Sequence, residues 1–272
     1  MTQHHPKRSP ALHRIALASA LLAATAAQAV VGPPAGSEAD GSMTSIAYGG
    51  SGDIYELIPR LVVQGLGSPS DPLTVTGRNP LLQYDYAVSG AGSDRMTVEF
   101  NIRNSSGVES FSQLRFMVFA NPDGGNDFQD TVGETWGAFT PGEPVRREAR
   151  AFDPVDGILT RFALNGNLTE GSTPLDAACT SGSGCDANIG LQWNADLLGP
   201  GQTFRVRLGL SDTGQALSSR FLTVRSASDP GTVLTLSGVG AVVAVPEPGS
   251  LALMLAGLLG VGFLAQRRQR AG

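Results

Sequence analysis

Histidine and lysine are almost missing from this sequence of 272 residues. All three histidines and the single lysine lie within the first 14 residues. A body without histidine cannot use a Ser-His-Asp or Cys-His mechanism or build a His-ligated zinc centre, and without lysine it cannot form a Schiff base. Carboxylate chemistry, such as glycoside cleavage by an acid/base pair, is what remains. Some pair of carboxylates can always be proposed in a chain with this many acidic residues, so their presence is not evidence for catalysis. Because they are scattered through predicted turns and strand edges, we expect a protein that is not an enzyme.

Charged and aromatic residues are also scarce, at 16% and 6% of the chain. This composition argues against a helical bundle. Between residues 30 and 245, thirteen arginines stand against twenty-three acidic residues, which leaves a net formal charge of −10. Nucleic acids bind proteins through basic groups that release counterions, and an acidic body lacks them. We therefore expect no nucleic-acid partner.

The first 29 residues have the order of a secretory signal peptide. A basic start is followed by an apolar run at 15–24, and Ala27 and Ala29 form a small-x-small cleavage site. The apolar run is too short to span a bilayer. We expect signal peptidase to cut after Ala29, which places the body of the chain outside the cytoplasm.

An uncharged stretch at 250–265 lies near the other end of the chain. As a helix it would be ~24 Å long, slightly under the ~30 Å hydrocarbon core of a bilayer. We predict a single transmembrane helix here; a buried core helix is the alternative. By the positive-inside rule, the arginines that follow it oppose export of the tail. Two motifs flank the stretch: Pro246, Glu247 and Pro248 before it, and Arg267, Arg268 and Arg270 after it.

This order of Pro-Glu-Pro, apolar helix and arginine cluster resembles the PEP-CTERM sorting signal of Gram-negative bacteria. The resemblance implies that an exosortase, a membrane protease-transpeptidase, recognises the tail near Pro-Glu-Pro. An inner-membrane-anchored precursor would then be delivered to the cell surface or to an extracellular polysaccharide matrix. The resemblance covers about the last 27 residues only, so it implies nothing about the activity of the body.

The body of the chain alternates apolar and polar residues with period two, which is typical of strands with one buried face. Residues 114–119 are nearly all apolar, which predicts a central strand that is covered on both faces. Further strands are predicted at 61–64, 73–76, 84–88, 97–103, 161–164, 189–193, 204–208, 220–225 and 233–237. Short helices are predicted only at 144–151 and 194–198.

Many short strands with turn residues between them predict an all-β fold, an antiparallel β-sandwich or jelly-roll-like ectodomain of ten or more strands. We assign this domain to residues 53–240, after a flexible leader at 30–52 and before the sorting signal at 241–272. Two small domains hinged at 141–156 are the alternative.

Cys179 and Cys185 are the only cysteines, and a flexible Thr-Ser-Gly-Ser-Gly segment separates them. In an oxidising compartment such a pair is expected to close a structural disulfide loop. Their spacing fits neither a metal site nor a redox motif. The pair is therefore predicted to stabilise the fold, by about 2.4 kcal/mol in the chain-entropy treatment of so short a loop.

The densest polar segment of the chain lies at 121–130. Asp123, Asn126, Asp127 and Asp130 carry the hard oxygen donors that Ca²⁺ prefers, although their spacing does not match an EF-hand. We favour the alternative, a solvated turn that follows the strand at 114–120 and in which Asn121 and Asp123 bond to the backbone. Calcium is therefore the only cofactor that the sequence suggests, and these four residues are its candidate ligands.

Trp136 and Trp193 allow a second interpretation of the body. Exposed tryptophans suit sugar binding, but tryptophans in alternating segments more often belong to the core. We therefore expect a non-catalytic surface or matrix protein. A carbohydrate-binding module, or a carboxylate-dependent enzyme acting on glycosides, is the alternative. Exposed aromatic residues beside carboxylates on one sheet face would favour that alternative, with polysaccharide as the partner.

Overall fold

A computed structural model of the chain describes residues 31–124, 129–153, 157–169, 175–229 and 231–244. The predicted signal peptide, Asn126, Asp127, the predicted sorting motif, the predicted transmembrane helix and the C-terminal arginines lie outside these residues. The strands are β1 (Gly36–Ser37), β2 (Met43–Tyr48), β3 (Gly52–Val62), β4 (Leu82–Ser89), β5 (Arg95–Asn104), β6 (Phe111–Asp123), β7 (Asp130–Trp136), β8 (Arg146–Ala151), β9 (Ala187–Leu198), β10 (Gln202–Ser211), β11 (Arg220–Ser226) and β12 (Val233–Ala244). The helices are α1 (Pro72–Gly77), α2 (Ile158–Asn165) and α3 (Ala177–Thr180).

The strands form two antiparallel sheets of six strands each, so the expectation of an all-β fold is confirmed. Sheet 1 has the order β1-β2-β3-β6-β9-β8, and sheet 2 has the order β4-β5-β10-β12-β11-β7. Half of the neighbouring pairs join strands that are not consecutive in the chain. Pairing of β3 with β6 and of β6 with β9 therefore sets which side chains meet on sheet 1.

The inner faces of the two sheets share one hydrophobic core, to which both sheets contribute fully buried side chains. Trp193 of sheet 1 is its largest member and lies against β12 of sheet 2. Glycines make this close approach feasible. A Cβ at Gly238 would lie 2.6 Å from Trp193 Cζ2, and one at Gly240 would lie 3.0 Å from Trp193 Cδ1. The expectation that tryptophan serves the core is thus confirmed for Trp193.

A second, smaller hydrophobic cluster lies on the outer face of sheet 1. Met117 and Phe119 of β6 contact Ile158 and Phe162 of α2 there, and all four are buried. Because Phe116 and Val118 of the same strand point into the main core, β6 is covered on both faces. This confirms the prediction made from the apolar run at 114–119.

Residues 31–52 are part of the fold, contrary to the predicted flexible leader. β1 and β2 extend sheet 1 beyond β3, and the side chains of Val31, Met43, Ile46 and Tyr48 are buried in the main core. The alternation of β2 was hidden by the many small and polar residues around it. Its apolar residues become recognisable as a buried face only once β3 is beside them.

The predicted strands at 73–76 and 161–164 are wrong, because these residues belong to α1 and α2. Asp71 caps α1 by accepting a hydrogen bond from the Thr74 amide at 2.8 Å, and Pro72 follows it at the first helical position. In α2, the buried residues Ile158 and Phe162 lie one helical turn apart. A segment of only four residues, such as 161–164, is too short to show this spacing.

The predicted helices at 144–151 and 194–198 are also wrong, since the first contains β8 and the second is the end of β9. Arg, Glu and Ala favour helices in isolation, but β8 pairs with β9 from Arg146 to Ala151. Tertiary pairing therefore outweighs a weak local preference. Over the residues that the structure describes, no helix is long and apolar enough to cross a membrane.

Candidate functional site

The structure places Asp123 and Asp130 at facing strand ends, at the last residue of β6 and the first of β7. Asp130 is fully buried, and its Oδ1 accepts a hydrogen bond from the Gly124 amide at 2.9 Å. Across the described residues, no three His, Cys, Asp or Glu side chains are grouped as a metal ion would require. The calcium site stays a prediction, since Asn126 and Asp127 lie outside these residues.

Asp123 has acidic neighbours from other parts of the chain. Asp53 of β3 is its cross-strand partner. The pKa of Asp123 is raised above its ordinary value, chiefly by burial and further by the nearby charges of Asp186 and Asp53. Burial also raises the pKa of Asp53 and that of Asp186. The sheet therefore brings like charges together at this end.

The disulfide between Cys179 and Cys185 is present, as predicted from their spacing. Its loop is attached to the start of β7, because Asp130 and Cys185 exchange two backbone hydrogen bonds of 2.6 and 2.9 Å. Cys179 lies in α3 and is fully buried. The disulfide thus holds a short helix against the edge where sheet 1 and sheet 2 meet.

Trp136 is half-buried and is flanked by arginines from both sheets. The guanidinium of Arg147 in β8 lies 4.4 Å from its ring centroid, and that of Arg220 in β11 lies 5.1 Å away. Arg147 is also paired with Glu134. Such cation–π contacts occupy ring surface that a sugar would need. Neither tryptophan therefore forms an open binding platform.

The outer face of sheet 1 carries a cavity of about 180 Å³, here called the α2 cavity. Its polar floor comes from three neighbouring strands, and its apolar wall comes from β6, the residue after β8 and the start of α2. The floor residues are Glu56 of β3, Asn121 of β6 and Asn188 of β9. The wall contains Phe119, Phe152 and the first turn of α2.

Strand register places the three floor residues in one row across the sheet. Glu56 is the cross-strand partner of Asn121. Ala120 pairs with Ile189, so Asn121 and Asn188 lie side by side one residue further on. Asn188 is only 3% exposed. The Oδ1 atoms of Asn121 and Asn188 are both buried and have no hydrogen-bond partner among the described residues.

A second depression of about 280 Å³, here called the Arg60 depression, adjoins the α2 cavity at their shared residue Glu56. Its acidic lining residues surround the guanidinium of Arg60. Burial lowers the pKa of Arg60, while the charges of Asp40, Asp71 and Glu56 act in the opposite direction. The groove formed by the two depressions is therefore predominantly acidic.

Buried polar side chains fix the segment that follows α2 onto the sheet. The Glu148 carboxylate is fully buried and accepts hydrogen bonds from the Thr169 amide at 2.9 Å and its hydroxyl at 3.0 Å. Gln192, which is also fully buried, accepts from the Leu168 amide at 2.7 Å. Arg150 pairs with Glu148. These contacts hold α2 in place above the cavity.

Sequence reasoning missed Glu56 and Asn188 and misplaced Asn121. Asn121 and Asp123 were expected in a solvated turn, but β6 continues through both of them. As a consequence, Asn121 points to the outer face of sheet 1 instead of bonding to a turn. An asparagine inside an apolar strand, as at Asn188 between Ala187 and Ile189, was the one available signal.

Comparison with protein families finds a PEP-CTERM protein-sorting motif at residues 244–268. The match begins at the last residue of β12 and covers the tail that the sequence analysis singled out. No curated protein and no solved structure matches the chain. The tail is therefore recognised, and the body belongs to no recognised family.

Proposed function

We propose that the protein is an exported, non-catalytic component of the cell surface or of an extracellular matrix. The PEP-CTERM motif at 244–268 carries this proposal. The motif implies an exported protein with a membrane-anchored precursor that an exosortase-like system processes. Release of the body from that anchor would deliver an acidic β-sandwich to the outside of the cell.

Composition and surface chemistry support a non-catalytic role. Histidine and lysine are absent after residue 14. The outer face of sheet 2 carries Glu99 between Arg205 and Arg207, with N–O distances of 3.3 and 3.8 Å. Such half-exposed ion pairs keep a surface soluble and contribute little else.

Carbohydrate binding in the same compartment is the second candidate function. The observation in its favour is the α2 cavity, where Phe152 is 55% exposed beside buried amide oxygens and the Glu56 carboxylate. Small-molecule sites combine an apolar lining with a few polar groups in this way.

Replacement of Glu247 tests the sorting proposal. Pro246 and Pro248 lack amide donors and favour an extended backbone, which a protease cleft accepts, and Glu247 supplies the charge. In a host with an exosortase, we expect mature wild-type protein to lack residues 251–272 by mass spectrometry. It should fractionate with the surface or matrix. The Glu247→Ala variant should accumulate as uncut, membrane-held precursor.

The matched control is Glu109→Ala, which removes an exposed glutamate from the body. It should be processed like wild type, since it leaves the tail intact. If Glu247→Ala protein is processed and released as efficiently as wild type, the sorting proposal fails and the tail acts only as an anchor.

A further inference from the structure

The α2 cavity contains buried hydrogen-bonding groups that the fold leaves unused. Asn188 lines the cavity, is 3% exposed, and its Oδ1 has no partner among the described residues. Asn121 presents a second such oxygen from the adjacent strand. A buried polar atom without a partner costs roughly 1–3 kcal/mol. Two of them at one cavity indicate that a ligand satisfies them.

The start of α2 supplies candidate donors at the same cavity. The first turn of α2 lines the cavity, and its N-cap residue, Gly157, has no side chain to cap the helix. The amides at the start of a helix have no partner within the helix and point outward. The cavity therefore presents acceptors on its floor and donors on its wall, and a ligand rich in hydroxyl groups, which donate and accept, matches both.

The apolar wall and the charges of the cavity restrict the kinds of ligand that fit it. The exposed ring of Phe152 suits the C–H face of a sugar ring and not a hydrated ion, and the buried Phe119 and Ile158 line the cavity beside it. The positive end of the α2 dipole disfavours a cation. The carboxylates of Glu56 and Asp153, which both line the cavity, disfavour an anion. A volume of about 180 Å³ corresponds to roughly six water molecules, which is the scale of one sugar ring.

We infer that the α2 cavity binds one uncharged sugar unit. Its hydroxyl groups donate to Asn121 Oδ1 and Asn188 Oδ1 and accept from the amides of the first turn of α2, while Phe152 covers one ring face. This inference rests on the second candidate function, carbohydrate binding, and names the class of ligand; it does not depend on the sorting route. Binding by purified protein therefore tests it separately from processing of the tail.

The experiment uses the full-length chain in a sugar-free detergent and saturation-transfer difference NMR. The neutral probes are glucose, galactose and N-acetylglucosamine, the anionic probe is glucuronic acid, and Ca²⁺ serves as a competitor. We expect at least one neutral probe to bind, glucuronic acid to bind at least tenfold more weakly, and Ca²⁺ not to compete. Binding of none of the neutral probes, preferential binding of glucuronic acid, or displacement by Ca²⁺ would overturn the inference.

Asn188→Leu is the decisive variant, because leucine has a similar volume and no polar atoms. Loss of one hydrogen bond predicts about a tenfold weaker affinity for the sugar. The melting temperature without sugar should equal or exceed that of wild type, since the replaced oxygen has no partner in the fold. Asn101→Leu on sheet 2, which removes a hydrogen bond to Asp85, is the matched control and should leave sugar binding unchanged.

Phe152→Ala keeps the test valid if Asn188→Leu fails to fold. Phe152 is 55% exposed, so its truncation should hardly change stability but should weaken sugar binding at least several-fold. Wild-type affinity in Phe152→Ala together with wild-type affinity in a folded Asn188→Leu variant would overturn the assignment of the cavity.

Discussion

The outer faces of the two sheets carry polar side chains on the same alternating pattern, yet they have different surroundings. On sheet 2, Glu99 and Asn101 bond to arginine and aspartate side chains at the open surface. On sheet 1, Glu148 and Gln192 are fully buried beneath the segment that follows α2. The alternation of residues along the strands determines which faces are polar. The segment that packs over a face determines whether its polar groups are buried.

Burial changes the energetic role of these groups. Exposed ion pairs exchange their partners with water at little cost, while a buried carboxylate or amide must be bonded within the protein. Most polar groups under α2 meet this requirement, as Glu148 and Gln192 show. The Oδ1 atoms of Asn121 and Asn188 do not, and adjacent strands bring these two atoms together at the α2 cavity.

Removal of the anchor of α2 should have the largest effect. Phe162 is fully buried against β6, so Phe162→Ala should lower the free energy of unfolding by about 3–5 kcal/mol in urea titrations. Leu164→Ala, on the exposed side of the same helix, is the control and should change it by less than about 0.5 kcal/mol. Equal effects would mean that α2 does not cover sheet 1.

Carboxylates on the two outer faces should also differ in how much they stabilise the fold, with the larger contribution on sheet 1. Glu148→Ala leaves the Thr169 amide and Arg150 without their acceptor, so the free energy of unfolding should fall by roughly 3 kcal/mol. Glu99→Ala removes only half-exposed pairs and should cost less than about 1 kcal/mol. Added salt should reduce the second effect and hardly change the first. Similar losses in both variants would contradict the distinction between the faces.

The acidic end of sheet 1 should show a smaller, pH-dependent effect. An acid whose pKa is higher in the folded state binds its proton more readily when folded, so stability increases as pH falls from neutral toward the pKa of the unfolded state. Asp123 has such a raised pKa, owing to burial, Asp186 and Asp53. Asp123→Asn should therefore raise the melting temperature slightly at pH 7, and the gain should disappear near pH 4, the ordinary range of aspartate.

Asp229 provides the control of opposite sign. Hydrogen bonds from Thr232 and the Gly231 amide lower its pKa, so Asp229→Asn should reduce stability at neutral pH and not at low pH.

The same melting curves test the calcium prediction. We expect excess chelator to leave the wild-type curve unchanged. A chelator-induced fall that added Ca²⁺ reverses, together with loss of stability in Asp123→Asn, would instead establish a calcium site.

Prediction from the sequence succeeded where the signal was local to one strand. β5 and β10 follow from alternation, and the double cover of β6 follows from its apolar run. It failed where short windows hide the period, as in α2, or where pairing outweighs propensity, as in β8. The floor of the α2 cavity lay beyond such reasoning, because no local pattern relates Glu56 to Asn188.

The sequence by itself determined the sorting motif at 244–268, the alternating strands and the disulfide between Cys179 and Cys185. Each of these features depends on residues that are close together in the chain, so composition and spacing suffice to predict it. Tertiary structure alone decided which outer face is covered and which side chains share a cavity. Glu56, Asn121 and Asn188 are separated by more than sixty residues at each step, and only the register of β3, β6 and β9 brings them into one row.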